Sequence, residues 1–300
     1  PPHPVSVSYS ALLRGNRNFR LYWAGQIVSQ LGDWFSVITL QSLLLKHTGS
    51  ALAIAGFMVA QMLPNFLLGP IAGVVVDRLP RKAVMVGADL ARAFFALGLL
   101  LVHDRSTVWV AFACLAAVSS FTAFFEPARI ATLPNITSEE ELVTANALSS
   151  VTWSILLTSG ALVGGLVGHF FGPQIAFILN AVSFAVSAVF LSRMEVPPTR
   201  GEVAAHGVGE VRAGVAYVRA HPQILGALSA KLGWGLAGGV QALLSIYGQR
   251  VFPLPGDRDG QLAISFLYAA GGIGTALGPI LARRFTGRDP HRIRWAIALS

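Results

Sequence analysis

Charge is scarce in this chain. Only 12% of its 300 residues are Asp, Glu, Lys or Arg, about half the roughly 25% of a soluble domain. That is too little to coat a globule against water, and with 54% hydrophobic residues the main solvent must be lipid. Cysteine is scarcer still. Cys114 stands alone in an apolar run, which excludes a disulfide scaffold and a thiolate metal centre and leaves a small packing residue. No HExxH, nucleophile-elbow or Walker pattern occurs, so the chain reads as a non-enzyme with no cofactor and no metal site. GGIGTALG, from Gly271 to Gly278, has glycines at loop-like spacing, but it lies inside an apolar run with no strand before it and reads as helix packing. The first ~18 residues lack a signal-peptide core and cleavage site. PPHPVSVSYS reads as a disordered or surface-lying tail.

Long apolar runs are abundant. A membrane helix needs about 20 mostly apolar residues. Eight segments qualify, near Phe19–Leu45, Ala51–Val76, Ala83–Val102, Thr107–Phe125, Thr144–Phe171, Gln174–Leu191, Ile224–Tyr247 and Gln261–Ala282, and a ninth begins near Ile293. The fold class is therefore an all-α polytopic membrane protein. Its net charge of +8 is carried in loops between apolar runs, which reads as topology and not as a nucleic-acid surface. With the N-terminus inside, the outer loops hold only Lys46, Arg105, Arg250 and Arg258, Arg92 and Lys231 fall within spans, and every other Lys and Arg lies inside. That asymmetry predicts a cytoplasmic N-terminus.

The stretch Gly69 to Lys82, GPIAGVVVDRLPRK, carries the most information. Two apolar helices are joined there by a short cationic loop that resists translocation, and its glycines are expected to let two helices approach closely. Leu68-Gly69-Pro70-Ile71 recurs as Leu277-Gly278-Pro279-Ile280, again before a cationic stretch. The repeat predicts two parallel six-helix halves. Residues 1–18 are then a cytoplasmic tail, 19–193 the first six-helix half, 194–222 a cytoplasmic linker and 223–300 an incomplete second half. The chain is accordingly expected to be truncated at its C-terminus. In the linker, Val208, Val211, Val215 and Val218 have the spacing of an amphipathic helix on the inner surface.

Six helices, a linker and further helices resemble the major facilitator superfamily. Gly73, Asp77, Arg78, Arg81 and Lys82 match that family's loop pattern after helix two, with Pro80 standing where the pattern has its second glycine. The string FFEPARIATLPNITSEEELVTANAL, from Phe124 to Leu148, with Asp33-Trp34 and Phe177 to Ala181, resembles the branch of enterobactin-type exporters and macrolide efflux proteins. The resemblance implies a secondary active exporter of a siderophore, drug or other small molecule. It would work by alternating access in a bacterial inner membrane, coupled to protons, with the lipid bilayer as its other partner. A non-transporting membrane protein, or an inactive remnant of such a carrier, is the alternative.

Within that frame the residues divide as follows. Asp33 lies about 14 residues into its span, near the bilayer midplane at ~1.5 Å per residue. A charge there costs at least ~2.5 kcal/mol, so it reads as a proton-coupling carboxylate or as a hydrogen-bonded packing group at Gly32. Gln30, Gln61, Asn180 and Gln241, with Gln26, Gln41 and Asn65, are amides inside spans that line a polar cavity or bond between helices. Trp34, Trp153, Trp234 and Tyr247 are candidate cavity-wall aromatics. Lys231 reads as a snorkelling cation or a substrate contact. Asp89 and Arg92, three apart, share a helix face and read as an intramembrane ion pair. Gly73, Asp77, Arg78, Arg81 and Lys82 form the conformational switch loop. The resemblance implies that Asp77 contacts Arg groups and a helix N-terminus in the other half, while the cations also suit anionic lipid. Gly160, Gly164 and Gly168, with Gly165, have close-packing spacing.

Overall fold

In the computed structural model, residues 7–197, 216–221, 239–257 and 259–286 are described. Helix α1, Tyr9–Gly15, is capped by Ser8, whose hydroxyl accepts the Ala11 amide. The tail expected to be loose is thus partly helical. Leu12 is fully buried, and the Thr144 hydroxyl donates to the Val7 carbonyl at 2.7 Å, so burial of an apolar residue docks this segment on the bundle. Asn16 ends α1 and caps α2, Arg17–Thr48, by accepting the Phe19 amide. Gly49, at φ 63°, closes α2 in the left-handed conformation that glycine adopts without steric cost.

Ser50 caps α3, Ala51–Arg78, which carries Pro64 and Pro70 inside it. Leu79 and Pro80 link it to α4, Arg81–Gly98, followed by a 3₁₀ turn at Leu99–Leu101. Proline suits this place because its φ is already set for helix entry. After a 3₁₀ turn capped by Asp104, helix α5 runs Val108–Ile136. Hydrogen bonds from Ser106 and Thr107 hold the Asp104 carboxyl below its ordinary range. The span expected to end near Phe125 therefore continues through Pro127 and Pro134.

Helix α6, Glu139–Ser192, starts at a reciprocal capping box of Ser138 and Glu141. It breaks at Gly172 (φ 82°, ψ 169°), just before Pro173. Its two arms run in opposite directions along α2. On the first arm, Thr152 meets Trp23, Gly160 and Gly164 meet Trp34, and Gly168 meets Thr39. On the second, Asn180 bonds Ser36, Ser183 abuts Gly32, Ser187 abuts Gly25 and Glu195 bonds Asn18. The numbering rises together on one arm and oppositely on the other, so the break at Gly172 turns the chain back. A helix covers 239–250, labelled α7, and α8 is Gln261–Thr286.

Two apolar clusters pack the ends of this bundle. One gathers Leu40, Leu44, Ile54, Phe57, Leu99, Val108 and Cys114; the other Leu12, Phe19, Tyr22, Val76, Met85, Phe125 and Met194. Outside them the polarity is that of a lipid-facing surface: Leu52 and Phe66 are each 80% exposed, and so are Phe94, Trp109 and Phe170 in large part. Among the described residues, Ala51–Arg78, Arg81–Leu101, Arg105–Ile136 and Glu139–Ser192 are long and apolar enough to cross a membrane. Helix α2 is more polar, and Gln26, Ser29, Ser36, Thr39, Gln41 and Ser42 on it are buried. The amphipathic helix expected at 208–220 falls mostly outside the described residues; 216–220 are helical.

Candidate functional site

A cavity of about 330 Å³ lies between the two apolar clusters. Helix α2 supplies one wall through Gln26, Ser29, Gln30, Asp33, Trp34, Ser36 and Gln41, positions spaced to share a helix face. Gln61 and Asn65 come from α3, Arg92 from α4, and Ser119, Thr122, Glu126 and Arg129 from α5. Trp153 and Asn180 enter from the two arms of α6, Gln241 from α7 and Tyr268 from α8. Asp33, Gln30, Gln61, Asn180 and Gln241, scattered along the sequence, thus line one space. Lys231 and Trp234 lie outside the described residues.

The charges around this space are mostly paired. Arg92 makes an ion pair with Asp89, and both side chains are buried. The Arg92 guanidinium lies 4.1 Å from the Phe125 ring centre and 4.4 Å from that of Phe184, so aromatic faces replace the water it has lost. Arg129 binds Glu126 through two nitrogens, at 2.8 and 3.0 Å, and donates to the Tyr22 hydroxyl at 3.1 Å. Asp33 differs. It sits mid-way along α2, and among the described residues it has neither an ion pair nor a hydrogen bond.

Neutral hydrogen bonds fix the rest of the lining. Asn180 donates to Ser36 at 2.8 Å. The Tyr268 hydroxyl lies 3.1 Å from both the Gln41 amide oxygen and the Gln241 carbonyl, and Ser245 also donates to Gln41. Trp34 meets Tyr268 edge-on at 5.8 Å between ring centres. Trp34 also lies over Gly160 and Gly164, where a Cβ would collide with its ring and its backbone. The glycine stripe of α6 is therefore what lets α2 carry its polar face so close. Gly165 and Gly168 do the same for Ser265 and Gln261 of α8, and Gly272 of α8 lies against Thr158.

The loop after α3 is at the other end of the helices. Asp77 and Arg78, expected in the loop, form the last turn of α3 and are exposed. Arg81 donates to the Ala131 carbonyl and Lys82 to the Met194 carbonyl, each at 2.7 Å, so these two cations tie α4 to the C-terminal ends of α5 and α6. The close helix approach expected at Gly69 and Gly73 is not met among the described residues: an added Cβ at either touches nothing within 4 Å. A second correction concerns Arg129, expected as an inner-loop charge. Because α5 continues past Pro127, Arg129 and Glu126 face the cavity. Their signal was present as an acid and a base three residues apart, the same spacing as Asp89 and Arg92. Among the described residues there is no cluster of His, Cys, Asp and Glu fit to hold a metal.

The sequence model of the Major Facilitator Superfamily matches residues 22–300. The chain belongs to this superfamily. It is a multi-pass membrane protein with the all-α fold that membership implies. Its superfamily relatives in Bacillus subtilis include YfiS, designated an uncharacterized MFS-type transporter and 28% identical over 60% of this chain and 43% of its own length. BacE of the same organism, designated a candidate bacilysin exporter, is 28% identical over 88% of this chain and 66% of its own. Macrolide efflux protein A of Streptococcus pyogenes is 27% identical over 67% and 51%. The chain thus spans 43% to 66% of the length of these relatives. The crystal structure of an auto-inhibited POT family peptide transporter superposes with a TM-score of 0.53 at 16% identity, over 91% of this chain and 55% of that one, a likeness of fold alone.

Proposed function

We propose that this superfamily member is, or is part of, a proton-driven secondary exporter of a small organic molecule in a bacterial cell membrane. The observation that carries the reading is Asp33: a carboxylate without a partner among the described residues, mid-way along α2, on the wall of a polar cavity inside an apolar bundle. Ionisable groups held at that depth are expensive and mark ion or substrate pathways. Efflux as the direction is supported by the relatives named for bacilysin export and macrolide efflux.

In this reading Asp33 takes up and releases the coupling proton, and Gln30, Gln61, Asn180, Gln241 and Lys231 contact substrate. Residues 19–193 form the first six-helix half, 194–222 the cytoplasmic linker and 223–300 part of the second half, with residues 1–18 as a cytoplasmic tail. The cation asymmetry of the loops supports a cytoplasmic N-terminus. Gly73, Asp77, Arg78, Arg81 and Lys82 are the loop that biases one conformation, Asp77 acting on the other half. The Asp89–Arg92 pair holds α4 against α5 and α6 while the halves move.

The test is transport in proteoliposomes carrying an imposed pH gradient, with efflux of a fluorescent drug panel as readout. Wild type is expected to move at least one compound uphill, and Asp33→Asn to lose uphill movement while remaining folded. Undiminished proton-driven export by Asp33→Asn removes Asp33 from the mechanism.

A further inference from the structure

A histidine of α6 and a carboxylate from the turn before α8 face each other far from Asp33. Glycine brings the two parts together: an added Cβ at Gly168 would run into Gln261 of α8 and Thr39 of α2. Next in sequence stands His169, its side chain 21% exposed. The turn before α8 is shaped by Gly256 at φ 81° and Gly260 at φ 72°, left-handed backbone that glycine adopts freely. That turn presents Asp257, whose side chain is fully buried. One of its oxygens accepts the Ala263 amide at 2.9 Å and so serves a free N–H in the first turn of α8. The other faces Nδ1 of His169 at 3.5 Å.

A separation of 3.5 Å is longer than a formed hydrogen bond. A protonated imidazole donates from both nitrogens, and its bond to a carboxylate is shorter and stronger than a neutral one. Imidazole is the side chain whose charge ordinarily changes between about pH 5 and 8. The other charges described on the elements packed here are Lys46 and His47 at the end of α2, Arg250 on α7 and Asp259 on the same turn. Lys46 pairs with Asp259 at 2.9 Å. Arg250 donates to the Gly49 carbonyl, and the Ser42 hydroxyl to the Asp259 carbonyl. Arg258 lies outside the described residues. Helix α2 thus holds the turn on one side, and His169 of α6 meets it on another.

We propose that His169 and Asp257 form a pH-sensitive clasp. A proton on His169 draws Asp257 against α6 and shuts this end of the molecule. The closing contact is present at acid pH and is lost as the pH rises through the titration of the imidazole. Its consequence for transport rests on the exporter reading above. With the N-terminus inside, this end faces outward, His169 belongs to the first half and Asp257 to the second. A proton arriving from outside then closes the outer end behind departing cargo and turns the cavity back to the inside. That proton sits on the imidazole and is distinct from the one on Asp33.

Pulsed electron spin resonance on the purified protein in lipid nanodiscs tests this. Spin labels go on Leu52→Cys, 80% exposed on α3, and Phe252→Cys, 57% exposed between α7 and α8, in a Cys114→Ala background. Moving from about pH 8 to about pH 5 should raise the ratio of short to long distances about tenfold or more, the low end for a hydrogen bond to a charged group. His169→Gln should abolish the response and keep both distances. His169→Lys should favour the short distance at either pH, which separates lost charge from lost fold. Asp257→Asn should also abolish the response, while its amide oxygen still accepts the Ala263 amide. One distance at every pH, a response of opposite sign, or a response that survives His169→Gln overturns the proposal. Survival there with loss in Asp33→Asn moves the sensing to Asp33. Uphill export in proteoliposomes by a protein without the response leaves the exporter reading standing and removes the clasp. A His169-dependent response in a protein that moves no compound does the reverse.

Discussion

Asp89 and Asp33 are both acids on helices inside the bundle, and they live in opposite circumstances. On the α4 and α5 side of the cavity, Asp89 is fully buried against Arg92, whose guanidinium is packed between two phenylalanine rings. On the α2 side, Asp33 faces the cavity with no described partner. A paired and enclosed charge is a structural element, because moving either member leaves the other stranded. An unpaired charge on a cavity wall is free to exchange a proton or meet a ligand. The contrast is one of partners: Asp89 has a resident cation, and Asp33 has none among the described residues.

The sharpest way to break the comparison is Arg92→Met. It strands Asp89 and should lower stability by about 3–5 kcal/mol, read as loss of thermal stability or of folded yield in detergent. Asp89→Leu combined with Arg92→Met should recover most of that loss, since a buried pair replaced by apolar groups is close to neutral. A double variant as unstable as the single one would show that the two residues do not act as a pair.

Gly32→Val comes next. The new side chain runs into Ser183 and Asn180, and overpacking of this kind costs about 1–3 kcal/mol. Gly164→Ala meets the Trp34 carbonyl, 2.6 Å from an ideal Cβ, and should cost a similar amount. Gly87→Ala, with open space around it, should be neutral or slightly stabilising. Equal melting temperatures across the three would contradict the packing of α6 on α2.

Asp33→Asn should cost little stability, because no described pair is broken, yet abolish uphill export. A melting temperature that falls as far as that of Arg92→Met would turn Asp33 into a structural acid. Smallest of all is Arg17→Gln. Its ion pair with Glu195 spans 3.3 Å between side chains that are 58% and 85% exposed, and such a pair is worth within about 0.5 kcal/mol. A larger loss would mean that the Asn18–Glu195 hydrogen bonds at the same corner depend on it.

Particular residues mark how far the sequence could be read. The helices near Phe19, Ala51, Ala83 and Gln261 were legible as apolar runs of about 20 residues. The pairing of Asp89 with Arg92 was legible because three-residue spacing places both on one face. The end of α5 was not. The span read as ending near Phe125 runs on through Pro127 and Pro134 to Ile136, and Arg129, read as an inner-loop charge, lines the cavity beside Glu126. Nor was the surrounding of Gly69 and Gly73 in α3 legible: they have the composition of a close contact, but the described structure leaves them open. The stripe on α6 has the same composition and does make the contact.

Composition and local periodicity by themselves determined that this chain is an all-helical, multi-pass membrane protein and where most of its apolar runs lie. Those properties depend on the cost of exposing polar groups to lipid and on helix geometry, both of which act within one segment. Which helix meets which was decided only by the tertiary structure. Gly172 turns α6 back so that both its arms embrace α2, Tyr268 and Ser245 reach Gln41 across more than two hundred residues of chain, and Asp33 is left without a described partner. A charge acquires or lacks a partner through contacts between segments distant in sequence, and no local pattern encodes those.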